Sequence, residues 1–226
     1  MARPKISLTV DGVIFGYDPT PRVSVLLVKR KYDPYKDQWA IPGGFVKQDE
    51  SLEEAVYREL EEETGVKINY LEQLYTFGTP GRDPRGRVVS VAYFGLVRPD
   101  SFIVEASSDA KEVQWFDIQH LPQIAFDHAK VLEVAIARLR AKITYEPIGF
   151  ELLEKKFPFS DLENLYTTLL GRSIDRRNFR KKILSFDMLD ELDEKVKKGA
   201  GRPANLFQFN EQRYFQLKEE GIIFEI

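Results

Sequence analysis

Gly43-Gly-Phe-Val-Lys-Gln-Asp-Glu50, continued through Arg58-Glu-Leu-Glu-Glu-Glu-Thr-Gly-Val66, is the stretch that decides how the rest of the chain is read. Ser51 and Glu54 have the spacing of a capping box, in which each side chain satisfies the other residue's free backbone amide, so a helix begins there. Thr64-Gly65 ends it, because glycine takes the left-handed conformation at a helix C-terminus without steric cost. At about 100° per residue, Leu52, Ala55, Val56 and Leu60 share the side that faces a core. Glu59, Glu62 and Glu63 continue that stripe, while Glu54 and Glu61 point to solvent. Carboxylates facing inward at i, i+3 and i+4 repel one another unless a cation neutralises them. An all-oxygen, highly charged set suits Mg²⁺ or Mn²⁺, which keeps several waters and accepts phosphate oxygens as further ligands. Glu59, Glu62 and Glu63 are therefore expected to hold metal.

Outward from this helix, the first part of the chain alternates strand-like and helix-like segments. Ile6, Leu8 and Val10 alternate with polar neighbours, and 23–28 is a nearly continuous run of valine and leucine, the pattern of strands. Further strands are expected over 68–77, 88–97 and 112–116. A second helix is expected over 127–143, with Leu132, Ala135, Ile136, Leu139 and Ile143 as its apolar stripe. Strands mixed with two helices predict an α/β fold, a sheet sandwiched between helices. Arg30, Trp39 and Gly44 stand where a substrate would meet the carboxylate helix, although Trp39 also fits a core position. The loop Thr79-Pro-Gly-Arg-Asp-Pro-Arg-Gly-Arg87 carries Arg82, Arg85 and Arg87, which can grip diphosphate or ribose oxygens or form a solvated turn. Asp127 and His128 are read as capping the second helix, with no catalytic role.

After the break Tyr145-Glu-Pro-Ile-Gly149 the character changes. Ser160-Asp-Leu-Glu163 has capping-box spacing, and Leu162, Leu165, Tyr166 and Leu169 form a helical face that stops at Gly171. A second short helix starts near Asp175, and strands follow over 188–192 and 206–209. Helix, turn, helix and hairpin make a winged helix-turn-helix pattern. Its charge is segregated. Arg172, Arg176, Arg177, Asn178, Lys181 and Lys182 mark the second helix, and Lys197, Lys198 and Arg202 the glycine-rich loop of the hairpin. These are the two places the motif presents to double-stranded DNA.

Composition limits the alternatives. There are no cysteines, so disulfides, thiolate metal sites and cysteine nucleophiles are excluded, and a reducing compartment fits. The net charge of −3 gives no global attraction to nucleic acid, which leaves local patches to supply it. The longest apolar run, 88–97, is too short to span a bilayer, and no signal-peptide pattern opens the chain. A cytoplasmic protein with no membrane partner is expected.

The residues Gly44, Glu50, Arg58, Glu59, Glu62, Glu63 and Gly65, with Leu60 and Val66 at the apolar positions, match the Nudix box. The resemblance implies a Nudix α/β/α sandwich and hydrolysis of a nucleoside diphosphate linked to another moiety. It also implies that the helix glutamates hold metal and that Arg58 orients them through salt bridges. For the general base it leaves two candidates, Glu62 and Glu112. The whole architecture resembles the Nudix-related transcriptional regulators, through Ala125-Phe-Asp-His128, Glu146-Pro-Ile-Gly-Phe150, Arg177-Asn-Phe-Arg-Lys-Lys182 and Gly201-Arg-Pro-Ala204. A Nudix domain over 1–143, a linker over 144–149 and a small winged-helix domain over 150–226 are then expected. That family implies a homodimeric repressor on a palindromic operator, controlling NAD-metabolism genes and answering to ADP-ribose. The intact box favours retained hydrolysis. Two alternatives stay open: a plain Nudix pyrophosphohydrolase with a dimerisation module, and an arabinose-type sugar-responsive regulator with a non-catalytic Nudix site.

Overall fold

The β-branched and aromatic runs of the first half gather into one mixed sheet. The structure is a computed structural model that describes residues 5–18, 22–68, 71–102, 110–197, 202–221 and 224–226. The sheet contains β1 (Ser7–Asp18), β2 (Arg22–Arg30), β3 (Trp39–Ala40), β4 (Gly43–Phe45), β5 (Glu72–Phe77), β6 (Val88–Val97) and β7 (Ala110–Asp117). Its central order is β3-β2-β1-β6-β5, with β4 paired to β1 and β7 to β2. β1 runs parallel to β6 and antiparallel to β4, where Val10 faces Gly44 and Asp11 faces Gly43. This register brings the quoted glycines onto the middle of the sheet.

β1 buries Val10 and Ile14 on one face and Val13 and Phe15 on the other, as a strand does when both faces of its sheet are covered. α1 (Leu52–Thr64) packs on the first face, where Ala55, Val56 and Leu60 join Val10, Ile14, Leu26 and Val91 in one cluster. Its ends form as its sequence dictates. Ser51 and Glu54 make the reciprocal capping box, and Gly65 closes the helix at φ 71°. α2 (His128–Tyr145) buries Val131, Leu132, Ala135, Leu139 and Ile143. The α/β/α sandwich expected from the sequence is the fold found.

The chain divides into two compact units, the first holding β1 and residues 23–138, the second residues 139–226. The second contains β8 (Phe157–Pro158), α3 (Phe159–Leu170), α4 (Arg176–Ser185), β9 (Leu189–Val196), β10 (Ala204–Phe209) and α5 (Glu211–Glu219). Its sheet has the order β8-β10-β9. Leu162, Leu165, Tyr166 and Leu169 of α3 pack inward with Phe179 and Ile183 of α4. Tyr166 and Phe179 have ring centroids 4.9 Å apart. This is a winged helix-turn-helix.

Several expectations need correction. The Ser160–Glu163 capping box does not form. Phe157 and Pro158 are paired to Phe207 and Leu206 of β10, and Phe159 is buried with its ring 5.7 Å from that of Phe207. The helix is thereby pulled back to start at Phe159, with Pro158 in the cap position and no side-chain cap bond. The strand expected over 68–77 begins at Glu72, with 69–70 outside the described residues. The hairpin strands, expected over 188–192 and 206–209, run longer, reaching Val196 and starting again at Ala204. α5 was not foreseen. It has no apolar stripe to read, and its one legible signal is Asn210, whose Oδ1 accepts the Arg213 amide at 2.9 Å.

Leu60 is fully buried beneath β1 and Gly12. Leu60→Ala is expected to destabilise the first unit by about 2–5 kcal/mol. Chemical denaturation should show a lower midpoint with an unchanged slope; a loss below about 1 kcal/mol would mean that α1 packs elsewhere.

Candidate ligand cleft and nucleic-acid interface

The acidic face of α1 is organised by one guanidinium. Arg58 donates from Nε and Nη2 to the two oxygens of Glu50, at 2.8 and 2.6 Å. Its Nη1 donates to Glu59 at 2.7 Å and to Glu62 at 3.1 Å, and its Nη2 to the Phe45 carbonyl at 3.3 Å. The hydrogen bonds from Arg58 and from the Lys47 amide pull the Glu50 carboxyl down to about 2. Arg58 itself is raised, chiefly by Glu50. Burial pushes Glu59 the other way, above the usual carboxylate range, against the opposing pull of Arg58. Glu59 lies directly behind Gly44, where an added Cβ would stand 2.4 Å from its Oε1. A side chain at 44 would therefore displace the Glu59 carboxylate. Glu63 accepts the Gly43 amide at 2.9 Å.

The expected inward trio is therefore two residues, not three. The Glu59 side chain is 14% exposed and the Glu62 side chain 53%. Glu59 and Glu63 line the cleft, whereas Glu62 lies outside its lining, drawn to Arg58. Helical spacing sets direction but not depth, and Glu62 sits past the edge of the buried stripe. Among the described residues no group of three His, Cys, Asp or Glu side chains is arranged to cage a metal. The residues still fit Mg²⁺, which usually takes one or two protein carboxylates plus waters and substrate phosphates. Glu59 supplies a desolvated carboxylate that a cation would stabilise, with Glu63 beside it.

The cleft has a volume of about 440 Å³ and is bounded by β1, β2, the loop before α1, the arginine loop and the approach to α2. Arg30 and Arg85 line it, with Phe45 and Phe126. Arg82 lines it too, but the Arg82 side chain is 5% exposed and its Nε and Nη2 donate to both oxygens of Asp127, at 2.9 and 2.7 Å. It is committed to the protein. Its Nη2 is also 3.6 Å from Asp11, which accepts the Ser90 hydroxyl at 2.5 Å. His128 is not a surface cap. Its Nδ1 accepts the Ile41 amide at 3.0 Å, and its Nε2 is 3.7 Å from Asp11. Burial holds its pKa below the ordinary imidazole range, so the ring is neutral with its proton on Nε2.

Three expected site residues are elsewhere. Trp39 packs edge-on against Phe116 at 4.6 Å and does not line the cleft. Arg87 is exposed, bonded only weakly to the Val88 carbonyl at 3.4 Å. Glu112 is paired to Lys29 across the β2–β7 ladder at 3.0 Å and is not among the residues lining the cleft. Conversely Asp11, Asp83, Phe126 and His128 line the cleft without having been read as site residues. Asp11 carried a usable signal, since a carboxylate between Val10 and Val13 in a buried strand is rarely accidental.

In the second unit, α4 turns Arg176, Arg177, Lys181 and Lys182 outward and buries Phe179 and Ile183, as the helical wheel requires. Arg177 and Lys181 have no acidic partner among the described residues, while Arg176 is 3.9 Å from Glu163. Asn178 is used locally: its backbone and side-chain amides both donate to Asp175, the N-cap. Arg172, Lys197 and Arg202 are exposed, and Lys198 lies outside the described residues.

The NUDIX domain family matches residues 8–135, and the NrtR DNA-binding winged helix domain family matches residues 149–209. The chain is 34% identical over 215 residues to the ADPR responsive transcriptional repressor NtrR of Acinetobacter baylyi, covering 93% of this chain and 85% of that one. It is 41% identical over 127 residues to the ADP-ribose pyrophosphatase of Methanocaldococcus jannaschii, 56% of this chain and 71% of the other. The crystal structure of Shewanella oneidensis NrtR complexed with a 27mer DNA matches with a TM-score of 0.75 at 35% identity, covering 92% of this chain and 95% of that one.

The Arg58–Glu50 pair has a measurable consequence. A carboxyl whose folded pKa lies at about 2, against 4.5 ordinarily, adds stability above pH 4.5 that is lost as pH falls toward 2. In thermal unfolding between about pH 5 and pH 3, Glu50→Gln should show a shallower loss of midpoint than the unaltered protein. Parallel acid limbs would mean that the pair is not what orders this helix.

Proposed function

Because the chain belongs to the Nudix-related transcriptional regulators, a NUDIX domain joined to an NrtR-type DNA-binding winged helix, we propose that it is an ADP-ribose-responsive repressor. In this reading the winged helix holds double-stranded operator DNA, and the Nudix cleft binds the nucleotide whose arrival releases it. The carrying observation is α4, which presents Arg177 and Lys181 to solvent without acidic partners. Such residues supply phosphate and base contacts, while a dimerisation module would need an apolar face. The plain-hydrolase alternative lacks that support. The repressor acts in the cytoplasm as a homodimer on a palindromic site, where protein symmetry matches half-site symmetry, and its targets are genes of NAD metabolism.

The cleft supports the ligand class. It combines cations able to meet a diphosphate with carboxylates able to hold Mg²⁺ or a ribose hydroxyl. The intact box and the similarity to an ADP-ribose pyrophosphatase support cleavage to AMP and ribose 5-phosphate. Glu59 and Glu63 would hold the metal, which when bound lowers the pKa of water and offsets charge on the diphosphate. Around it Arg58 fixes Glu59 in place, and Gly44 leaves room for the carboxylate to approach.

Fluorescence anisotropy on a labelled duplex from the promoter upstream tests both parts. ADP-ribose in EDTA should weaken DNA binding by about 5–150-fold. Arg177→Ala should weaken it without ligand. With limiting ADP-ribose and Mg²⁺, release should be followed by rebinding as the ligand is consumed. DNA affinity indifferent to ADP-ribose overturns the sensor; release without rebinding leaves a sensor that does not hydrolyse.

A further inference from the structure

Phe126 holds a place in the cleft that the carboxylate box does not require. Its φ is 55°, in the left-handed region where a bulky side chain is strained, so its surroundings over-determine it. Its ring is where two cations meet. The Arg30 guanidinium lies over it at 4.8 Å from the centroid and that of Arg85 at 5.5 Å. Tyr35 holds the ring edge-on at 4.8 Å, and the His128 ring is 5.2 Å away.

The two guanidinium groups are oriented, yet retain donors. Arg30 donates from Nε to the Pro34 carbonyl at 2.8 Å and from Nη2 to the Tyr32 carbonyl at 3.4 Å, and makes no ion pair among the described residues. Arg85 is bidentate to Asp83 through Nε and Nη2, and lies over Phe45 at 4.9 Å. In each the Nη1 amine has no acceptor among the described residues. Burial and the charge of Arg85 both disfavour the Arg30 cation, against the pull of Glu63, Asp83 and Asp33. Asp83 already neutralises Arg85 on one edge, so what the pair offers a ligand is the unused Nη1 edge of each guanidinium.

We propose that Phe126 is a cation platform that holds Arg30 and Arg85 around one ring as a two-guanidinium clamp, which selects ligands with two linked phosphates over those with one. The inference rests on the reading of the cleft as an ADP-ribose site and deepens it by naming what is recognised. A guanidinium stacked on a ring keeps its in-plane N–H donors free for phosphate oxygens. Two phosphates joined through one oxygen can set a phosphate against each cation at once, whereas a single phosphate must share its oxygens between them. Phe126 acts through the arginines and is a positioning residue.

Isothermal titration of the full chain in EDTA, with ADP-ribose and with AMP, tests this. Phe126→Leu keeps apolar bulk but removes the ring quadrupole. It should lose about 5–30-fold in ADP-ribose affinity, from two weakened cation–π contacts, while AMP affinity changes by less than about 3-fold. Phe126→Tyr should restore the preference. A merely structural role would lower both affinities together, and that outcome, or an unchanged ratio in the Leu variant, overturns the clamp. Inorganic pyrophosphate against orthophosphate repeats the comparison without the nucleoside. If unaltered protein ignores ADP-ribose but prefers pyrophosphate in a Phe126-dependent way, the function proposed above fails and the clamp stands. If it prefers neither diphosphate, the clamp fails.

Discussion

Everything on the chemical side of the cleft depends on Arg58. An α-helix carrying Glu59, Glu61, Glu62 and Glu63 within five residues cannot lie on a sheet unless its inward charges are compensated. Arg58 does this from within the helix, bridging to Glu50 in the preceding loop while reaching Glu59 and Glu62. The loop is thereby fixed to the helix, and β4 in turn to β1. Gly43 and Gly44 then lie close enough for Glu63 to accept one amide and for Glu59 to pack behind the other residue. One cation thus ties the loop to the helix and fixes Glu59.

The opposite wall is held by a second guanidinium. Arg82 belongs to a turn-rich loop that has few apolar contacts to order it, and its bidentate pair with Asp127 joins that loop to the start of α2. Asp11, Ser90 and neutral His128 complete the network. Buried pairs of this kind give little net stability, but losing one partner is costly, so the arrangement is specific even where it is not strongly stabilising. The loop can therefore present Arg85 to the cleft from a fixed base.

How much of this was legible follows from what kind of signal each residue carries. The α1 caps, the core stripe of Ala55, Val56 and Leu60, and the burial of Phe179 and Ile183 are local or periodic properties, and the sequence states them outright. The α3 start was misread because a tertiary contact, Phe159 against Phe207, overrode a correct local signal. Glu62 was misplaced because a helical wheel gives angle and not depth. Arg82 and Arg85 are indistinguishable in sequence, two arginines three residues apart on one loop. The distant Asp127 holds the first as a buried structural pillar, while the second pairs with Asp83 in its own loop and keeps an exposed edge toward the cleft. The place of Glu112 was hidden for the same reason, its partner Lys29 lying across a strand ladder.

The site is divided in a way that bears on how a regulator of this type can keep or lose catalysis. The carboxylates proposed for metal chemistry come from α1, where Arg58 orders Glu59 and the Gly43 amide holds Glu63. The groups suited to gripping a ligand, Arg30, Arg85 and Phe126, come from β2, the arginine loop and the approach to α2, and none depends on Arg58. In the reading proposed above, recognition and cleavage would therefore rest on separate supports within one cleft. Substitutions in the box can remove the chemistry while leaving a ligand-binding sensor intact, because the cations that recognise phosphate do not need the metal to be held in place. The reverse does not hold. In the reading proposed above, a metal held by Glu59 and Glu63 would still need a diphosphate positioned by those cations, so cleavage would require recognition but recognition would not require cleavage.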